Sequence, residues 1–148
     1  MLPQNPLEHQ NAVKTLYSKC VNQVCQKHGI TRMELDILLF LANNPCFDTA
    51  SDIVEVRYLS KSQVSASVKL LESRGYLEKK YTKENRKTAH LTICGAASEI
   101  VADGIIAQEK FLSVMMAGIP QEELDCMKRC MDHILSNISR HLKEDGKP

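Results

Sequence analysis

Three groups of residues have the types and spacing to do chemistry. Lys83, Arg86 and Lys87 fall within five positions, in the polar run Thr82-Lys-Glu-Asn-Arg-Lys87. Cations this dense suit a polyanion, and an Arg at a hairpin tip suits the minor groove of duplex DNA, where the potential is most negative. A second group lies upstream. Ser62, Ser65, Ala66 and Lys69 share one face of a helical segment, with Ser60, Lys61 and Gln63 at its start. Side chains this small let a helix sink into a groove about 12 Å wide, where Gln63 and Lys61 reach base edges or phosphates. The third group is Cys126, Cys130 and His133, at i, i+4 and i+7. That spacing is compatible with a metal, but a tetrahedral site needs a fourth ligand. These three are read as packing at a helix interface, and neither a metal nor a cofactor is expected.

Other reactive types carry less. Cys20 and Cys25 lie within the first helix, and a reactive thiol needs a lowered pKa and partial exposure. The apolar stripe around Cys20 predicts burial and a structural role, with thiol-based redox sensing as the alternative. Cys46 and Cys94 give no further signal. His28 and His90 read as helix-end and strand residues. Met115, Met116, Met127 and Met131 read as core or adaptable pocket lining. No phosphate-cradling Gly-rich loop, GxSxG, HExxH or paired CxxC is present, and there are only six glycines. The chain is therefore not expected to be an enzyme.

The elements that hold these residues follow from periodicity and caps. Residues 7–28 form a helix with Val13, Tyr17, Cys20, Val21, Val24 and His28 in one stripe, stopped by Gly29. Thr31 and Glu34 make a capping box that opens a second helix, with Leu35, Leu38, Leu39 and Ala42 inward. Asn43-Asn-Pro45 ends it. Asp48 or Thr49 caps a short third helix, about 49–56, whose apolar face is Ala50, Ile53 and Val54. After the tight connection Arg57-Tyr-Leu59, Ser60 and Gln63 make another capping box. The helix they open runs to Arg74, with Val64, Val68 and Leu71 on its inner side and Gly75 as a left-handed stop. Two short strands, 77–81 and 88–91, flank the basic tip. Thr92 is expected to cap a long helix to Met116, with Ile93, Ala97, Ile100, Val101, Gly104, Ile105, Phe111, Leu112 and Met115 in its apolar band. Gly118-Ile-Pro120 breaks it, with Pro120 in the first turn of the next helix. The last helix, about 120–142, carries Leu124, Met127, Met131, Ile134, Leu135, Ile138 and Leu142 on one side. A frayed tail follows.

The predicted fold is mostly α with a small β-hairpin. Two helices joined by a short turn and followed by a basic hairpin make a winged helix-turn-helix. Bulk numbers agree. The 148 residues are one domain's worth of chain, and the net charge is +1. From Arg57 to Lys87 nine Lys/Arg face three Glu, a local +6 that leaves −5 elsewhere. A basic middle between acidic ends is the asymmetry expected where one face meets nucleic acid. The opening MLPQNPLEHQ has neither the basic nor the apolar region of a secretory signal. No apolar run approaches the roughly 18 residues of a membrane span. Six cysteines without such a signal predict reduced thiols in the cytoplasm.

The stretch 49–77, TASDIVEVRYLSKSQVSASVKLLESRGYL, resembles the helix-turn-helix of MarR-type transcriptional regulators. Asn85-Arg86-Lys87 followed by Leu91-Thr92 resembles that family's wing, an Asp-Arg-Arg element leading to Leu-Thr. The likeness extends along nearly the whole chain. Residues 30–92 correspond to the winged-helix part, and 1–29 and 93–148 to the dimerisation helices. Asn85 stands where the family usually has Asp, and the interval to Leu-Thr is about two residues shorter. The resemblance implies a homodimer on a pseudo-palindromic operator that represses or activates transcription, with a small aromatic effector. Dimerisation also follows from physics, because useful specificity needs two half-sites about one helical turn apart. The DNA-contacting set is then Ser60, Lys61, Ser62, Gln63, Ser65, Ala66, Lys69, Lys83, Asn85, Arg86 and Lys87. The competing class is a winged-helix module that binds protein, which would need an apolar outer face where this chain has Ser, Ala and Lys. A weaker third is a small-molecule binder with vestigial DNA contacts.

Overall fold

The structure, a computed structural model, describes residues 5–145. It divides into two compact units, one ending at Phe111 and one beginning at Leu112.

The first unit opens with a 3-10 turn at Pro6–His9 and helix α1, Gln10–His28, where a single long helix was expected. Gly29 ends α1 at φ 62°, a left-handed conformation that costs glycine little. Val21 and Val24 are buried and Tyr17 packs against the core, whereas Val13 is exposed, so the expected stripe packs inward from Tyr17 onward. Helix α2, Arg32–Asn43, starts at the expected box: Thr31 Oγ1 accepts from the Glu34 N–H, and Glu34 Oε2 accepts from the Thr31 N–H. Its burial is wider than one stripe. Ile37, Phe40 and Leu41 are buried along with Leu35, Leu38 and Leu39, while Ala42 is only half-buried. The helix is walled on several sides, by α1, α4 and the second strand.

Helix α3, Ala50–Arg57, is capped by Thr49, and Asp52 completes a box the sequence reading did not include. Tyr58 caps its far end in the left-handed region at φ 51°. Helix α4, Lys61–Ser73, begins at Ser60, whose Oγ accepts from the Gln63 N–H; the reciprocal half of the expected box does not form. Its end is a Schellman turn: the Gly75 N–H donates to the Glu72 carbonyl and the Tyr76 N–H to the Leu71 carbonyl. Ile53, Val64, Val68 and Leu71 join Leu35, Leu38 and Leu39 in one core.

Strands β1, Leu77–Lys80, and β2, His90–Ile93, pair antiparallel, with Leu77 opposite Ile93 and Lys79 opposite Leu91. The second strand lies two residues later than expected. Thr92 is therefore a strand residue and not a helix cap. The ladder continues when the Cys94 N–H donates to the Tyr76 carbonyl. Leu77 and Leu91 are buried against the core, and that packing overrides the helical period read from Ile93 onward. A 3-10 turn, Gly95–Ala97, precedes helix α5, Ser98–Met115.

In the second unit the last turn of α5 gives way to Gly118 at φ 78°, then to α6, Gln121–Asp145. Pro120 precedes that helix; its carbonyl accepts from the Glu123 and Leu124 N–H groups. The helix outlasts its expected end and takes in the start of the tail; residues 146–148 lie outside the described chain. No helix among the described residues is long and apolar enough to cross a membrane.

Candidate nucleic-acid interface

Helix α4 is sorted by its period. Val64, Ser67, Val68 and Leu71 are buried, while Lys61, Ser62, Gln63, Ser65, Ala66 and Lys69 are exposed, as is the cap Ser60. The outward face is thus small, polar and basic. Its first turn is fixed by Ser60, whose hydroxyl also lies 3.0 Å from that of Ser62. The positive end of the helix dipole and its unpaired N–H groups are presented beside them, an arrangement that favours phosphate.

The hairpin tip is organised by Asn85. Its Oδ1 accepts from the Lys87 N–H at 3.0 Å and the Thr88 N–H at 3.2 Å, and its Nδ2 donates to Thr88 Oγ1 at 3.0 Å. The Asn85 N–H donates to Thr82 Oγ1. Asn85 thus builds the loop with its side chain. Lys83, Asn85, Arg86 and Lys87 are all exposed.

Ion pairing divides the basic segment in two. Lys79 pairs with Glu72 at 3.0 Å, Lys80 approaches Glu78 at 3.9 Å, and Arg74 lies 3.9 Å from Glu34. Among the described residues no ion pair engages Lys61, Lys69, Lys83, Arg86 or Lys87. The cations singled out by spacing are among those left for an external anion, and Arg57, at the end of α3, is another.

The base of the hairpin is pinned to the start of α3. His90 Nδ1 lies 2.8 Å from Asp48 Oδ1, the Leu91 N–H donates to the Asp48 carbonyl at 2.7 Å, and Thr49 bridges His90. Sequence reasoning missed this support. Asp48 was a candidate cap and His90 a strand residue, and a separation of 42 positions left no local pattern joining them.

The thiols fall into two sets. Cys20 and Cys25 are half-buried, and burial pushes the Cys25 thiol pKa up, away from the reactive thiolate. Cys126 and Cys130 are exposed, as is His133. Around Tyr17 the Arg32 guanidinium sits 4.3 Å from the ring centroid, Phe111 meets the ring edge-on, and Gln108 Nε2 donates to the hydroxyl.

Residues 28–87 match the sequence model of the MarR family. No curated protein sequence matches the chain significantly. Among solved structures, one described as a MarR family transcriptional regulator from Listeria monocytogenes, in complex with a 26mer DNA, superposes at TM-score 0.84 with 17% identity. The match covers 99% of each chain. The transcriptional regulator SlyA superposes at 0.80 with 14% identity, over 95% of this chain and 98% of the other. PefR, a heme sensor protein from Streptococcus agalactiae solved with heme, gives 0.51 with 22% identity, over 91% and 95%. Residues 28–87 thus match the MarR family model, within a chain that has the fold seen in solved MarR-family transcriptional regulators.

Proposed function

We propose that the chain is a sequence-specific DNA-binding regulator, not an enzyme, acting in the cytoplasm as a homodimer on a pseudo-palindromic operator. One observation carries the reading. The outward face of α4 and the hairpin tip present five cations without an ion-pair partner among the described residues, next to a helix face of Ser and Ala small enough for the major groove. The set Ser60, Lys61, Ser62, Gln63, Ser65, Ala66 and Lys69 enters the groove, and Lys83, Arg86 and Lys87 follow the backbone and the adjacent minor groove. Asn85 shapes the tip and does not itself read bases. The Listeria relative crystallised with DNA supports the same use of this fold. In this reading residues 30–92 form the DNA-contacting part, and 1–29 and 93–148 the pairing helices.

The homodimer is supported by α6, where Met127, Met131, Ile134, Leu135, Ile138 and Leu142 are each exposed by 40% or more. A contiguous apolar stripe of that size requires cover, and a second copy supplies a matching one. Modulation by a small effector rests on the family likeness, and the heme bound to PefR is a precedent for ligand control on this fold.

Selection of duplexes from a random pool tests the reading. The expected product is an inverted repeat with half-sites about one helical turn apart. Enrichment of no motif, with no gel shift of random duplex at low salt, would reject it in favour of a protein-binding winged helix.

A further inference from the structure

We infer that His28, Glu99 and Asp103 form a binding site for a divalent transition-metal cation, for which the Lys27 ammonium competes. His28 ends α1, and Glu99 and Asp103 stand at i and i+4 in the first turns of α5. One ligand atom from each lies within 4.8 Å of the other two. Asp103 Oδ2 is the hub, 2.7 Å from His28 Nε2 and 2.8 Å from Lys27 Nζ, while Glu99 Oε1 accepts from Lys27 Nζ at 2.9 Å. The His28 ring is largely buried, its side chain 12% exposed, so Nε2 is held in place beside the carboxylates.

Charge favours the exchange. Two carboxylates one helical turn apart repel each other and need a cation. Lys27 supplies a single positive charge against two negatives. Its hydrogen bonds to Asp103 and Glu99 drive its own pKa up and theirs down. A divalent ion with a neutral imidazole balances both carboxylates fully. The cost of displacing Lys27 is small, because its side chain is more than half exposed and its flexible stem can return the ammonium to water. Ligand atoms around a tetrahedral ion stand about 3.3 Å apart, given bonds of about 2.0–2.1 Å. Glu99 is exposed and free to close the remaining distance. One imidazole, two carboxylates and water make a donor set for Mn2+, Fe2+, Co2+ or Zn2+ rather than for thiolate-seeking ions. No spacing motif announces the site, because His28 lies 71 positions from Glu99. None of its residues belongs to the DNA-contacting set, so it holds or fails independently of that reading.

Mn2+ is the suitable probe, since the chain has six cysteines and Mn2+ has little affinity for thiolates. Titration of the full chain, read by loss of the free-ion electron paramagnetic resonance signal, should show one Mn2+ per chain, displaced by Zn2+. His28→Ala and Asp103→Asn should each weaken binding at least roughly tenfold, and Lys27→Met should tighten it several-fold. Circular dichroism checks the fold, with His28→Gln replacing any unfolded alanine variant. A free-ion signal undiminished at millimolar protein, or ligand variants that titrate like the parent chain, overturns the site. A Lys27→Met variant with unchanged affinity overturns the competition.

Discussion

Arg74 donates from Nη1 to the backbone carbonyl of Gly29 at 2.7 Å, which ties the C-terminal cap of α4 to the turn between α1 and α2. The same guanidinium nitrogen lies 3.9 Å from Oε1 of Glu34. Glu34 is fully buried, and that oxygen has no hydrogen-bond partner among the described residues. Arg74 therefore serves twice, as a cap for a loop carbonyl and as the counter-charge to a buried carboxylate. Arg74→Ala should lower stability by about 2 kcal/mol, read as a lower urea midpoint at constant slope. Glu34→Gln should cost much less, because an amide oxygen still accepts from the Thr31 N–H. If Arg74→Ala left the midpoint in place, the tie would carry no energy.

Gly104 is a packing requirement. A Cβ built there would meet Leu39 Cδ2 at 2.7 Å and Leu35 Cδ1 at 3.2 Å, and both leucines are buried in the core. Gly104→Val should therefore destabilise by about 1–3 kcal/mol through overpacking. Gly104→Ala should cost less, since a gain of about 1 kcal/mol in helix propensity offsets part of the clash. Denaturant midpoints for the two variants should fall in that order. A valine variant as stable as the parent would mean α2 and α5 part more easily than the contact implies.

Much of this was legible in the sequence, and the misses have physical causes. Local signals held where one short segment sets its own geometry: the Thr31–Glu34 box, the Ser60 cap, the stop at Gly75, and the inward set Val64, Val68 and Leu71. The start of α5 was misplaced because Ile93 and Ala97 fit a helical period, while pairing of Ile93 with Leu77 depends on a strand 16 residues away. The exposure of the candidate DNA-contacting side chains followed from helix period and turn polarity. Which cations lack an ion-pair partner did not, because Glu72 neutralises Lys79 across the α4–β1 corner. The Asp48–His90 support and the cluster around Asp103 join residues 42 and 75 positions apart, beyond any window a periodicity argument uses.

The hairpin tip should respond to Asn85 with little change in global stability. Asn85→Ala removes the acceptor shared by the Lys87 and Thr88 N–H groups and the donor to Thr88 Oγ1. The loop is exposed, so unfolding should shift by less than about 1 kcal/mol. Placement of Arg86 and Lys87 should loosen, and affinity for a selected duplex should fall several-fold by fluorescence anisotropy. Asn85→Asp keeps both acceptances but adds a negative charge beside Arg86, and should weaken binding most at low salt. Unchanged affinity in both variants would remove the tip from the interface.

Arg86 and Lys87 should contribute through phosphate, not through base identity. Replacing both with Ala should reduce the slope of log K against log salt by about 1.8, at about 0.9 for each lost phosphate contact. Affinity should fall for all duplexes alike, with the preferred motif retained. Gln63→Ala or Ser65→Ala should do the reverse, shifting base preference with little change in slope. Salt titrations on the selected site and on one scrambled duplex separate these outcomes. A double variant that keeps the parent slope would place the hairpin cations away from DNA.

Met131, Ile134 and Ile138 lie at i, i+3 and i+7 on α6, and each is 47–50% exposed. Left in water, that stripe forfeits apolar burial worth about 1.5–3 kcal/mol for each large side chain. In a homodimer the same positions meet their symmetry mates, so a single substitution acts twice. Ile134→Glu with Ile138→Glu should convert the dimer to monomer in sedimentation velocity, because it places charges of one sign in an apolar interface. Ser136→Glu, on an exposed position away from that stripe, should leave the dimer intact. Affinity for an inverted-repeat duplex should drop steeply in the double variant, while binding to a single half-site should change little, since α4 and the hairpin are untouched. A parent chain that sediments as a monomer at micromolar concentration would break the link between this stripe and two-fold operator recognition.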